Sequence, residues 1–385
     1  MASLSENLVQ GVSKAALDAL IAQRGEGAIP AGRRYDALAR FEELPVRNRG
    51  GRGWKHDLSK LDLSGIVTFG AAVAQHATPP LSAGAARLGS AVDTRDDKFA
   101  SLALAFQNDG TSVDVPAGRQ LDEPVVIEYD ARGAACFPYT LVTVGEGARV
   151  TIVERLRGDQ FVCGITEIVA APRAHVTYVV EQRLSAPAKS IMTRRALLAA
   201  DAHLECALAE VGAELSVSRL RAVAGERGAR ATLTGIFFCN GEQHVDLETE
   251  VVHAEANTQS HTLVRSAGIG HGQGRYLGNI KILAHAHGAD ASLRDDALLL
   301  SEGAHIDSVP ALEIAANDVK AYHGATVGAI SEDELFYAQS RGIPRAEAER
   351  MIALGFFEPA IARFPGESLR EGLRVTLAAK LGAPA

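Results

Sequence analysis

Several things are scarce in this chain of 385 residues, and each shortage removes a class of function. There are four cysteines, Cys136, Cys163, Cys206 and Cys239, with no C-x-x-C pair among them. The sequence therefore encodes neither a local zinc knuckle nor a thioredoxin-type dithiol. The four read as reduced thiols of a cytosolic protein, and Cys163 and Cys239, in the β-like runs Phe161-Val-Cys-Gly and Phe237-Phe-Cys-Asn, as buried and inert ones. No apolar run approaches the roughly 18 residues of a membrane span, and Met1-Ala-Ser-Leu-Ser-Glu lacks the basic-then-apolar order of a secretory leader. A cytoplasmic protein with no membrane partner is expected. Excess positive charge is missing too: a formal net charge of −8 argues against a nucleic-acid partner, which calls for a concentrated basic face. Arg33-Arg34 and Arg47-Asn-Arg-Gly-Gly-Arg52 form only a short solvated stretch. No G-x-x-x-x-G-K followed by Ser or Thr occurs, and Gly84-Ala-Ala-Arg-Leu-Gly-Ser lacks the phosphate-binding lysine, so ATP hydrolysis is not expected of this chain.

What is present is ample core material, 47% apolar against 22% charged residues. Residues 1–94 read as a helical region. Leu8, Val12, Ala15 and Ile21 give an approximate 3.6-residue stripe, and Tyr35, Leu38, Phe41 and Leu44 continue it in a second helix ended by Pro45. Residues 95–325 have another texture, with short alternating runs such as Leu102-Ala-Leu-Ala-Phe, Val125-Val-Ile-Glu-Tyr and Val176-Thr-Tyr-Val-Val, which read as strands.

The turns between those runs recur in kind. Gly147-Ala-Arg-Val, Arg173-Ala-His-Val, Asp201-Ala-His-Leu, Gly212-Ala-Glu-Leu, Gly228-Ala-Arg-Ala, Gly288-Ala-Asp-Ala and Gly303-Ala-His-Ile each set a turn residue and an alanine before a strand. Stacked β-coils need this pattern, because each rung must corner tightly while presenting side chains to a shared interior. A β-helix, or solenoid, follows. The irregular spacing leaves an ordinary β-sandwich open, and the low aromatic content of 5% favours the narrow coil.

Residues 326–385 return to helix. Ser331-Glu-Asp-Glu334 reads as a capping box, Gly342 as a helix stop and Pro344 as the first position of the next helix. On that helix Ala348, Met351, Ile352, Gly355 and Phe356 make one apolar stripe, and Leu369, Leu373 and Leu377 a thinner one on the last. Such short helices must pack on the β-body or on another protein.

Few groups are arranged for chemistry. Gly268-Ile-Gly-His-Gly-Gln-Gly274 precedes a strand rather than a helix, so it reads as a tight β-corner and not a phosphate loop. His285 and His287 fall on one strand face by period two and form a candidate metal pair. With Asp295 they define one reading of the chain, a metal-dependent or polysaccharide-cleaving β-helical enzyme. Asp295 and Asp296 would nevertheless point to opposite faces.

The motifs Gly278-Asn-Ile-Lys-Ile, Asp296-Ala-Leu-Leu-Leu-Ser, Pro310-Ala-Leu-Glu-Ile, His323-Gly-Ala-Thr-Val-Gly, and Leu335-Phe-Tyr with Ser340-Arg-Gly-Ile343 occur in this order. Together they resemble the SufB/SufD superfamily of iron-sulfur cluster assembly proteins. The segment from Ala39 to Pro45 followed by Trp54-Lys-His-Asp-Leu is loosely similar as well. The wording around His323, and Ala338 where SufB-type chains have a cysteine, resemble SufD. The resemblance implies a right-handed parallel β-helix with helical ends, acting as a non-catalytic scaffold subunit of a SufBCD complex. It would pair with a SufB-like subunit and dock a SufC-like ABC ATPase through its C-terminal helices, for which Met351, Ile352 and Phe356 are the candidates. It places His323 at the subunit junction as the candidate holder of iron or of a transient iron-sulfur cluster, a role imidazole suits. Many such chains have a cysteine where this one has Ala321, which leaves His323 as the main candidate. Self-pairing of the isolated chain, and a reduced flavin in the complex, are left open.

Overall fold

A computed structural model of the protein describes residues 11–45, 58, 61–66, 75–76 and 97–382. The chain opens with helices α1 (Lys14–Arg24) and α2 (Ala28–Glu43), a two-residue strand β1 (Gln75–His76) and helix α3 (Lys98–Phe106). Sixteen further strands follow, from β2 (Asp109–Val115) and β3 (Val125–Ala131) to β16 (His305–Ile314) and β17 (Lys320–Ala329). They alternate between two parallel sheets, one running from β2 to β16 and the other from β3 to β17. Each turn of chain gives one strand to each sheet, so the body is a β-solenoid of about eight turns. The sandwich alternative falls, because neighbours in a sheet are successive coils in register: His203 pairs with Arg230, Arg230 with Gln259, Gln259 with Asp290 and Asp290 with Lys320.

The corners explain why this sequence coils. Gly147, Arg173, Asp201, Gly228, Asn257 and Gly288 all have positive φ and stack along one edge. The N–H of each donates to a carbonyl of the following turn, for example Arg173 to Ala200 and Gly288 to Asp318. Five of the seven expected turn positions are in this column. Gly212 and Gly303 instead belong to turns leading into the other sheet, and Asn257 stands where glycine was not needed, asparagine being tolerant of the left-handed region. The alanines that follow, Ala148, Ala174, Ala202, Ala229 and Ala289, are buried in one stack. Gly272 confirms the β-corner reading of its glycine-rich run: a Cβ there would stand 2.4 Å from the Cys239 carbonyl oxygen.

Side chains alternate across each strand. The inward rows form the main core, which holds Ile152, Tyr178, Cys206, Leu233 and Leu293. Outward rows are covered by helices. Phe99, Phe106 and neighbours from α3 pack with Phe137, Phe161, Ile191 and Val217 on the β2-to-β16 sheet. The other sheet carries α5 (Arg345–Ile361) and α6 (Glu367–Lys380), with Phe357, Ile361, Leu373 and Leu377 against Val179, Ile236 and Phe238. A short α4 (Glu332–Ser340) lies between β17 and α5.

Several local readings change. The run Leu102–Phe106 is helix, not strand; α3 is buried on nearly every side, so its sequence has no polar face to reveal a 3.6-residue period. Ser331 is the N-cap of α4 but its side chain makes no capping bond. Pro344 is the N-cap residue of α5 rather than its first helical one. Trp54 and the run from Arg47 to Arg52 lie outside the described residues.

Candidate functional site: the open end of the solenoid

At its first turn β1 runs antiparallel to β3, with Gln75 against Glu128 and His76 against Ile127, while β2 ends the other sheet. At its last turn, β16 and β17 end their sheets with no further strand among the described residues. Nearly every residue of β17 is exposed, in contrast to the buried inner strands. Tyr322 is 64% exposed, and Val327 and Ile314 are exposed with it. Pro310, which lacks an N–H donor, sits in β16, consistent with its position on an edge strand.

His323 lies in the middle of this edge. Register traces a single inward column from Ile152 through Tyr178, Cys206, Leu233, Thr262 and Leu293 to His323. Every earlier member is buried; His323 is exposed because no coil follows it. The imidazole position therefore belongs to the floor of the solenoid interior, laid bare at its end.

Beneath it the interior is polar. Asp295 belongs to the next inward column, from Val264 through Asp295 to Ala325. It is wholly buried, and Ser308 is the hydroxyl close enough to act on its carboxylate. Burial raises its pKa to about 7, the neighbouring Asp296 pushing the same way while Ser308 and Arg265 pull it down. Ser308 is inward on β16, between Ile306 and the interior-packed Leu312. Asp296 faces outward as the alternation requires, bonded to Arg294, Arg265 and Thr326.

Further back along the axis lies a second buried polar group that the sequence reading missed. Arg194 donates from Nη1 to Ser218 Oγ at 2.7 Å and lies 3.4 Å from Glu210 and 3.5 Å from Glu154. Tyr178 Oη receives its Nε–H at 3.1 Å. Burial opposes the guanidinium charge, but the Tyr178, Glu210 and Glu154 oxygens outweigh it and hold Arg194 protonated. The only signal in the sequence was the inward parity of three charged residues on strands otherwise filled with Val, Ile and Leu.

The other expected residues are distributed differently. His285 and His287 do not lie on a strand face; both are exposed in the corner between β14 (Gln273–Ile282) and β15 (Asp290–Leu299). Asp295 points into the interior instead, so the three residues of the enzyme reading are not brought together. Among the described residues no group of three or more His, Cys, Asp or Glu is placed to hold a metal ion. The four cysteines are buried and none is in a disulfide, and burial pushes the Cys206 thiol up to about 12. His253 is interior, bonded to Thr258 and Ser260, with burial lowering its pKa to about 4. No described helix is long and apolar enough to cross a membrane.

On α5 the stripe from Ala348 to Phe356 is only partly the packing face. The buried positions are Ala348, Ala353, Phe357, Ala360 and Ile361. Met351 is 51% exposed, Ile352 joins Leu335 and Ala338 of α4, and Phe356 lies under the Arg265 guanidinium, 4.8 Å from its ring centroid. Phe336 and Tyr337 of α4 are exposed as well, at 72% and 62%.

Comparison with known proteins accounts for this architecture. Relatives in Staphylococcus haemolyticus, Staphylococcus epidermidis and Staphylococcus aureus, each named an iron-sulfur cluster assembly SufBD family protein, are 28% identical over 285 residues, 72% of this chain. The chain spans 61% of the length of those relatives. Residues 127–356, the solenoid from β3 onward together with α4 and most of α5, match the model of the SufBD core domain of the SUF system for FeS cluster assembly. The chain thus belongs to the SufBD family.

Proposed function

We propose that this protein is a SufD-like scaffold subunit for iron-sulfur cluster assembly. Its open end, β16 and β17, pairs with a SufB-like solenoid, and its C-terminal helices dock a SufC-like ATPase that supplies the nucleotide hydrolysis this chain has no loop to perform. The observation that carries the reading is His323, the exposed last member of an otherwise buried inward column. An unpaired ten-residue parallel edge is a ready template for another chain, and a subunit added there would enclose the imidazole between two interiors. Iron or a nascent cluster is cargo at that junction, and any flavin belongs to the assembled complex. Ala338, small and buried on α4 where SufB-type chains have cysteine, supports the SufD-like assignment.

The test is His323→Ala in the co-expressed complex. Subunit stoichiometry should be preserved while iron and sulfide content after anaerobic reconstitution falls several-fold; unchanged loading would end the proposed role.

A further inference from the structure

Two of the corner motifs bring a pair of imidazoles together away from the open end. Arg173-Ala-His-Val and Asp201-Ala-His-Leu are the same corner on successive coils, and each makes histidine the first residue of its strand, β7 (His175–Gln182) and β9 (His203–Glu210). These strands are parallel neighbours, with His175 and His203 as register partners. Both side chains point outward, because Val176 and Leu204 beside them belong to the interior. His175 is exposed and His203 partly so. Their rings are in contact, with centroids 5.7 Å apart and planes at 74°.

The nitrogens of this pair are uncommitted. Neither ring hydrogen-bonds to another described residue, whereas His253 has both nitrogens engaged and His244, His261 and His305 have one each. Neutral imidazole is the ligating form. Burial lowers the pKa of His203, and His175 and Arg230 push the same way against Glu205, which keeps this ring neutral at neutral pH. Arg230, the next register partner along the row, repels a cation, and the Glu205 carboxylate on the same outward face offsets it. With metal–nitrogen bonds of about 2.0–2.1 Å, one tetrahedral ion shared by two imidazoles sets their centroids roughly 5.2 Å apart. The observed 5.7 Å needs only a small closure, which side-chain rotation at the surface supplies.

We propose that His175 and His203 form a surface site for one divalent late transition ion, copper(II) or zinc, that ties two coils of the solenoid together. No third protein ligand is assembled there among the described residues, so water fills the remaining positions. Copper(II) binds the more tightly of the two, as the Irving–Williams order requires. An ion held only by the folded arrangement of two coils stabilises the chain as its concentration rises. The site lies four strands from β17 along the sheet and does not depend on the reading of His323.

The test uses the untagged full-length chain, titrated with Cu(II) and with Zn(II) by calorimetry, with the Cu(II) spin-resonance spectrum reporting bound nitrogens. Wild type should take up one tight Cu(II) with a two-nitrogen signature. His175→Gln and His203→Gln should each weaken it at least tenfold, and the double variant little further, because both rings serve one ion. His285→Gln combined with His287→Gln, and separately His323→Ala, should leave this affinity unchanged. Excess Zn(II) should raise the melting temperature of wild type by several degrees and that of His175→Gln, altered only at an exposed side chain, by much less. Wild-type affinity in either single variant, or a loss that follows His285 and His287 or His323 instead, would overturn the shared site. The scaffold reading is scored separately, by cluster yield in the complex.

Discussion

Leu293 and His323 are register partners on adjacent rungs of one inward column, yet Leu293 is 1% exposed while His323 is open to solvent. The same side-chain direction thus means core at one rung and surface at the next. What closes each rung is the coil that follows it, and β17 has none.

A charge on that edge should therefore block association without affecting the fold. Tyr322→Lys combined with Val327→Lys is expected to abolish pairing with a SufB-like subunit, read by light scattering. Both side chains are exposed, so the cost to the isolated chain should stay near 0.5 kcal/mol. A complex of unchanged mass would place the interface elsewhere.

Met351 and Phe356 separate docking from packing. Met351→Glu, at an exposed position, should leave the melting temperature unchanged and release the ATPase in a pull-down. Phe356→Glu removes a ring packed beside Phe357 and under Arg265, and should cost about 2 kcal/mol of stability. Undisturbed co-purification of the ATPase with the Met351 variant would show that the partner uses another face.

Asp295 makes a definite prediction about pH. Its folded-state pKa, about 7, lies above the ordinary aspartate value of 3.8, so the folded chain holds this proton more tightly than the unfolded one. The resulting stability is complete below about pH 4 and is lost as pH rises toward 7. Asp295→Asn does not titrate. Relative to wild type it should gain about 3–5 kcal/mol between those limits, at roughly 1.4 kcal/mol per pKa unit, measured by denaturant unfolding without metal. A constant difference across the range would mean the carboxyl is not desolvated.

The Arg194 group should behave as a buried ion cluster. Arg194→Met leaves Glu154 and Glu210 without their cation in the interior, and a loss of about 3–5 kcal/mol is expected. Adding Glu154→Gln and Glu210→Gln should restore much of it. A loss that the double addition fails to relieve would point to packing rather than charge.

Much of the body could be read from the chain alone because its signals are local. A left-handed corner residue followed by a small one, then an alternating run, specifies a rung whatever surrounds it, and Gly147, Arg173, Asp201, Gly228 and Gly288 were legible for that reason. His323 was legible through the motif around it. Local signals are ambiguous elsewhere: α3 is buried on nearly every side, so its run Leu102–Phe106 resembles a strand, and the His285-x-His287 spacing suits a strand face although the chain there is turning.

The rest depends on which coil stacks on which. No property of Asp295 in the sequence says that its carboxylate is enclosed, because burial comes from Val264 one coil back and Ala325 one coil on. Met351 and Phe356 share one helical stripe, but only the sheet beneath α5 determines that one is exposed while the other lies under Arg265. The sequence by itself determined a coiled β-body with helical ends and a histidine near its finish. The tertiary structure decided which end is open and what lies under that histidine, since exposure is set by contacts between residues some 30 positions apart that no local pattern contains.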